Sequence, residues 1–243
     1  MKMRKVSISS GEKLLIRSIL GKVEDERKKT EMEILSFSHL SKLLDADEKA
    51  LLRKFRDIDP APYGFKGRYF GIQKVPGNLV SIRNQKYVLK GKTERIRVQH
   101  LPGPVFAAYK KLNAAMYNDT KRKLLVNSGY RSPAYQLTVF LWYLNRHKFD
   151  FSKTIRRVAI PGYSEHGFPK GQAVDFITMD GIPDDNTPTD FCETIEYKWL
   201  LENANTFHFY ESYPRDNKLG VTFEPWHWQY RKQSRRRRRL SSK

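Results

Sequence analysis

The chain has 243 residues and a formal net charge of +20, from 46 Lys and Arg against 26 Asp and Glu. With 39% hydrophobic and 13% aromatic residues it can bury a good core in one domain, which excludes disorder over most of its length. The single cysteine, Cys192, excludes an intramolecular disulfide and a cysteine-built zinc knuckle, and the charge points to polyanionic surroundings: nucleic acid, anionic lipid or an anionic wall polymer.

The first residues, MKMRKVSISSGEKLLIRSIL, carry positive charge but no unbroken apolar run. Neither a secretory signal nor a membrane span is expected, so the expected location is the cytoplasm or, by a non-classical route, the cell envelope. Residues 11 to 58 read as charged amphipathic helices, and FSHLSKLLDADEKALLRKF is the clearest, with Leu40, Leu43, Leu44, Leu51, Leu52 and Phe55 as its apolar stripe. The Pro- and Gly-dense DPAPYGFKG (residues 59–67) marks a boundary. NLVSIRNQKYVL reads as a hairpin turning near Asn84 and Gln85. A helix follows at PVFAAYKKLNAAMYN, with Pro104 in its first turn.

From there strand and helix alternate. KLLVNSGYRS is a short strand running into a polar turn, and SPAYQLTVFLWYLNRHK is a helix with Ser132 as N-cap and Pro133 at its first position. GQAVDFI is a strand, FCETIEYKWLLENANTF a helix with Cys192 in its core, and FEPWHWQY a last strand. The mixture gives an α+β fold with an antiparallel sheet. After Tyr230 the chain reads RKQSRRRRRLSSK, eight basic residues with no acid, a tail expected to stay disordered until it meets a partner.

Three segments carry chemistry. His166 and Asp175 in SEHGFPKGQAVDF fit a metal site only if a third ligand comes from elsewhere. Alone they read rather as a surface histidine and an exposed strand residue than as ligands, since an unpaired buried carboxylate is costly. In FEPWHWQY a regular strand would point Trp226 and Trp228 to one face and His227 to the other. Glu224 lies three residues before His227, the arrangement of a general base that touches a metal-bound water without holding the metal. In SGYRSPAYQ, Arg131 falls at a strand-to-helix turn, placed either to stabilise an oxyanion or to make a surface ion pair. His39, His100 and His147 lack partners at metal spacing and read as structural.

Taken in order, SGYRSPAYQ, YSEHGFPKGQAVDF, WLLENANTFHFYESYP and FEPWHWQY resemble the VanY-type D-alanyl-D-alanine carboxypeptidase family. Those zinc peptidases share a Hedgehog-like fold with D-Ala-D-Ala dipeptidases and phage endolysins. The resemblance spans residues 95–231 and implies zinc on His166, Asp175 and His227. It implies Glu224 as catalytic base, Arg131 as charge stabiliser, Ser164 and Gln136 as substrate contacts, and Trp226 as a pocket wall. One departure is a loop between His166 and Gly171 two residues longer than the family pattern; another is His208 where the family often has glycine.

The resulting expectation is a zinc-dependent hydrolase of an amide bond in peptidoglycan or its precursors, with D-Ala-terminated peptides as substrate. A peptidoglycan endopeptidase and a non-catalytic wall or nucleic-acid binding module are the alternatives. The expected organisation is a helical N-terminal extension (residues 1–60), a peptidase domain (61–231) and a basic tail (232–243) that meets an anionic polymer, a membrane surface or nucleic acid.

Overall fold

Two capping boxes organise the helical part of the chain. The Ser9 hydroxyl accepts from the Glu12 amide while Glu12 accepts from the Ser9 amide, opening α1 (Ser10–Arg27). Asp45 and Glu48 exchange the same pair of bonds at the start of α3 (Ala46–Arg56). The single helix expected over FSHLSKLLDADEKALLRKF is therefore two. The first, α2 (Phe37–Leu43), ends at an extended Leu44, and Asp45 satisfies the amides of the next.

The computed structural model describes residues 7–182 and 188–232. The expected basic tail therefore falls outside the described residues except for Lys232. Among those described, no helix is long and apolar enough to cross a membrane.

Helices α1–α3 pack on α5 (Pro133–Arg146), which Ser132 caps as expected. Ile16, Ile19, Leu40 and Phe55 share one buried cluster with Leu137, Phe140 and Leu141 of α5 and with Phe151 and Ile155 of α6 (Phe151–Ile155). A second buried cluster lies under the sheet. There α4 (Gly103–Thr120) and α8 (Ile195–Asn203) cover Val126, Phe176, Phe209 and Trp228.

The hairpin expected at Asn84 and Gln85 does not form. Strand β1 (Leu79–Ile82) pairs instead with the distant β4 (Gln99–Pro102), antiparallel. The hairpin joins β2 (Lys86–Leu89) to β3 (Lys92–Arg95) and turns at Lys90 and Gly91, both at positive φ (50° and 77°). Two consecutive positive φ values make the tight turn that suits strand twist, and a glycine supplies one of them without strain. The helix expected over FCETIEYKWLLENANTF also breaks, into α7 (Pro188–Cys192) and α8, because the Thr194 hydroxyl accepts from the Tyr197 amide and starts a new helix. Cys192 is half-buried rather than fully in the core, and its thiol donates to the Pro188 carbonyl at 3.5 Å. His208 sits at φ 67°, a left-handed position that a glycine adopts at least cost.

The sheet that carries the candidate residues is antiparallel, in the order β5 (Leu124–Ser128), β6 (Ala173–Thr178), β8 (His227–Tyr230), β7 (Phe209–Glu211). Its register sets Asp175 directly opposite His227 on one side and Ser128 on the other. Val174, Phe176 and Trp228 face the core beneath, so Asp175 and His227 face the opposite side, toward α5 and the loops. The last strand is shorter than expected. Pro225 and Trp226 form a turn before it, so Trp226 escapes strand alternation and lines the same pocket as His227.

Candidate metal centre

Asp175 and His227 meet because adjacent strands bring them into register, and the His227 Nδ1 lies 2.8 Å from Asp175 Oδ1. His166 arrives on a short helical turn (Glu165–Gly167), with its Nε2 3.2 Å from Asp175 Oδ2. One ligand atom from each of the three lies within 4.8 Å of the others, the only such group of three or more His, Cys, Asp or Glu among the described residues.

The far side of each imidazole is tied down. His166 Nδ1 donates to the Gly129 carbonyl at 2.7 Å. That carbonyl is within reach because residue 129 is glycine: a Cβ there would lie 2.3 Å from the His100 carbonyl oxygen. His227 Nε2 donates to Glu165 Oε2 at 3.0 Å, and the same oxygen accepts from the Ser212 hydroxyl at 2.6 Å. With those outer sites committed, His166 Nε2 and His227 Nδ1 both face Asp175, and a cation bound there would take the place of the proton on His227 Nδ1. His166 Nε2 is buried and, although 3.2 Å from Asp175 Oδ2, makes no hydrogen bond of good geometry. Two imidazole nitrogens and one carboxylate, oriented by outer partners and with one nitrogen left unpaired, are the donor set that zinc takes with an open fourth position.

The electrostatics agree. Burial, with the Arg131 charge, pushes His166 down to about 4, so it is neutral at physiological pH. Burial would raise Asp175, but the two histidines hold it well below the usual carboxylate range. Burial would lower His227, yet its hydrogen bonds to Asp175 and Glu165 push it up to about 10. A buried carboxylate that draws a proton onto its neighbour marks a place where a cation is favoured.

The remaining candidates surround this cluster. Glu224 is buried, with Oε2 4.0 Å from His227 Nδ1, and burial pushes its carboxyl up to about 7. A cation at the cluster would pull that value back down. Arg131 holds Nη2 3.9 Å from Asp175 Oδ2, its Nε is buried without a hydrogen bond, and its backbone amide donates to the His166 carbonyl at 3.1 Å. Ser164, Gln136 and Trp226 line the pocket over the cluster. Gln136 donates to the Ala159 carbonyl and leaves Oε1 buried without a partner.

All eight expected residues therefore lie around one pocket. His39 pairs with Glu26 at 2.8 Å and His100 with Glu31 at 3.0 Å, away from it. Three neighbours escaped the sequence reading. Glu165 orients His227, Tyr213 stacks on the His227 ring with centroids 4.5 Å apart, and Arg157 places Nη1 3.5 Å from Glu224 Oε1 with its guanidinium over Trp226. Only Glu165 left a signal, as an acid beside His166 in SEHG.

This arrangement, a buried His-Asp-His cluster on an antiparallel sheet with a glutamate beside it, is that of a metal-assisted hydrolase. Residues 99–233 match the family model described as VanY, D-alanyl-D-alanine carboxypeptidase, and the chain belongs to that family. The chain is 26% identical over 212 residues to YodJ of Bacillus subtilis (strain 168), a protein assigned as a carboxypeptidase, covering 76% of this chain and 74% of that one. Among solved structures it resembles the LD-carboxypeptidase LdcB, with a TM-score of 0.50, 26% identity, and 64% of this chain and 68% of that chain covered. It also resembles the D,D-pentapeptidase VanY of a VanB-type vancomycin resistance cassette, solved with Zn(II), at a TM-score of 0.44 and 27% identity, over 60% of this chain and 78% of that one.

Proposed function

We propose that this protein is a zinc-dependent carboxypeptidase that removes a C-terminal D-alanine from peptidoglycan peptides or their precursors. His166 through Nε2, Asp175 through its carboxylate and His227 through Nδ1 would hold the zinc. The observation that carries this reading is the pair of outer hydrogen bonds, His166 to Gly129 and His227 to Glu165, which leave the inner nitrogens aimed at Asp175. Zinc bound there supplies a Lewis acid and lowers the pKa of its water to about 7.

The chain's own groups do the rest. Glu224, beside the cluster but not in it, accepts the proton of the attacking water and passes it to the leaving amine. Arg157 lies on its far side, 3.5 Å away, and keeps the carboxylate in place. The Arg131 guanidinium, with a buried N–H unspent, stabilises the charge that develops on the carbonyl oxygen. Ser164, Gln136 and Trp226 hold the substrate's end, and the unpaired Gln136 Oε1 is an acceptor for a substrate N–H.

The partners named for similar proteins fit this chemistry: LdcB is described by its peptidoglycan recognition, and VanYB has been solved with D-Ala-D-Ala. We propose in addition that residues 233–243, outside the described residues, hold the enzyme on an anionic wall polymer or membrane surface through their basic charges. The test is digestion of D-Ala-D-Ala-terminated peptides and of purified peptidoglycan, with products read by mass. Release of a single alanine from the peptides supports the reading. Cleavage of cross-links without alanine release would make the protein an endopeptidase, and no cleavage of either would leave a binding module.

A further inference from the structure

Beside the cluster runs a groove that the mechanism above does not use. One wall is residues 65–70, an extended segment pinned by Lys66 N–H donating to the Leu219 carbonyl (2.8 Å) and Phe70 N–H to the Gly162 carbonyl (2.7 Å). Phe70 stacks on Phe168 across the groove wall, with centroids 4.7 Å apart and planes at 20°. Counting the open solvent at its mouth, the groove spans about 960 Å³, against about 590 Å³ over the cluster, and it extends the surface a peptide can lie on beyond the residue being removed. The two share Phe65 and Tyr213, and Tyr213 stacks on His227, so the groove runs along the wall of the candidate metal centre.

Its charge is one-sided. Arg68, Lys170, Arg231 and Lys232 line it, and the one carboxylate among its lining residues, Glu165, is spent on His227 and Ser212. Two parts of its lining depart from the family pattern. Residues 65–70 precede the matched region, which begins at residue 99. Phe168 and Lys170 lie in the loop that is two residues longer than that pattern.

We propose that this groove is a subsite for the substrate on the N-terminal side of the scissile bond, and that it selects peptides bearing free carboxylates there. The proposal rests on the peptidase reading above. A cationic groove with a stacked aromatic wall takes an extended anionic peptide: ammonium and guanidinium groups meet the carboxylates, and ring faces cover the apolar stem. Its place against the wall of the catalytic pocket favours the substrate itself over an unrelated polyanion, which would have no need to lie beside the cluster.

The test uses the zinc-loaded full chain and its Arg68→Glu/Lys170→Glu double variant. Two synthetic peptides end in D-Ala-D-Ala and differ only in whether their internal carboxyls are free or amidated. The double variant should lose about tenfold in kcat/KM on the free-carboxyl peptide, through KM, as expected for reversing two exposed charge contacts. The amidated peptide should be cleaved as well as by the parent, and the gap should narrow as salt is raised. Equal loss on both peptides, or no loss on either, would overturn the proposal. If the parent cleaves neither, the peptidase reading falls, and the groove is then judged by binding of the labelled free-carboxyl peptide. Tighter binding by the parent than by the variant supports it, and equal binding overturns it. A variant that loses oligothymidylate binding but keeps the peptide would make the groove a polyanion surface and overturn it as well.

Discussion

Glu48, in the helical core around α5, and His166, above the sheet core beneath β6 and β8, are both buried polar groups held in opposite ways. In the helical half, Glu48 is fully buried, and its carboxylate accepts from the Ser18 hydroxyl (2.7 Å), the Lys22 ammonium (2.6 Å) and the Asp45 amide (3.0 Å). Its capacity is used locally, and the result is a clamp between α1 and α3. On the open face of the sheet, His166 is also buried, but its Nε2 makes no hydrogen bond while its other nitrogen is fixed. Glu48 is satisfied and serves the fold, whereas His166 Nε2 is held without a hydrogen bond in a pocket beside Asp175 and His227, where a ligand can reach it. The pocket lies on the seam, with Phe65, Gln136 and Ile155 from the helical side facing Trp226 and His227 from the sheet side.

This division can be broken by substitutions on either side. The largest effect is expected for His227→Ala, which removes Nδ1 and the bonds to Asp175 and Glu165. Zinc content by elemental analysis and alanine release should both fall to background, because two ligands rarely hold the metal. Phe55→Ala, in the middle of the helical cluster, should cost about 3–5 kcal/mol in denaturant melts. Zinc per folded chain and kcat should stay at the parent's values; a folded Phe55→Ala protein without zinc would show that the helical core shapes the centre directly.

Glu48→Gln should cost about 1.5–3 kcal/mol, the range for hydrogen bonds to a charged group. Burial alone would raise the Glu48 carboxyl, but Lys22 and Ser18 more than offset it and hold it below its ordinary value. Its contribution is thus complete above the unfolded carboxyl's pKa and is lost as pH falls through the lower folded value. The stability gap between parent and Glu48→Gln should therefore close in acid, and a gap that widened there would contradict the assignment. The smallest effect is expected for Trp199→Phe, which removes the indole bond to Asp119 (2.8 Å) and leaves the metal untouched; because Asp119 is exposed and water screens its charge, the cost should be about 0.5–1.5 kcal/mol.

What could be read from the sequence followed the same line between local and distant causes. Ser132-Pro133 announced α5, and the order of SGYRS, SEHG and EPWH announced the centre, because each motif carries its chemistry within a few residues. The breaks at Asp45 and Thr194 were also local, hidden inside patterns whose apolar spacing looked continuous. The pairing of β1 with β4 was not readable, since no residue near Asn84 records a partner seventeen or more residues away. Arg157 and Tyr213 were invisible for another reason. In a chain with 46 basic residues one more arginine carries no signal, and its position beside Glu224 comes only from the fold.

The central claim is that Glu224 moves the proton while His166, Asp175 and His227 hold the metal. Glu224→Gln tests it most directly, because it keeps the shape and a hydrogen-bonding end but removes the proton acceptor. Zinc content and melting temperature should match the parent, while kcat for alanine release should fall by about 10²–10⁴-fold, the range for loss of general base catalysis. A Glu224→Gln protein that loses its zinc, or that keeps both zinc and full activity, would contradict the account.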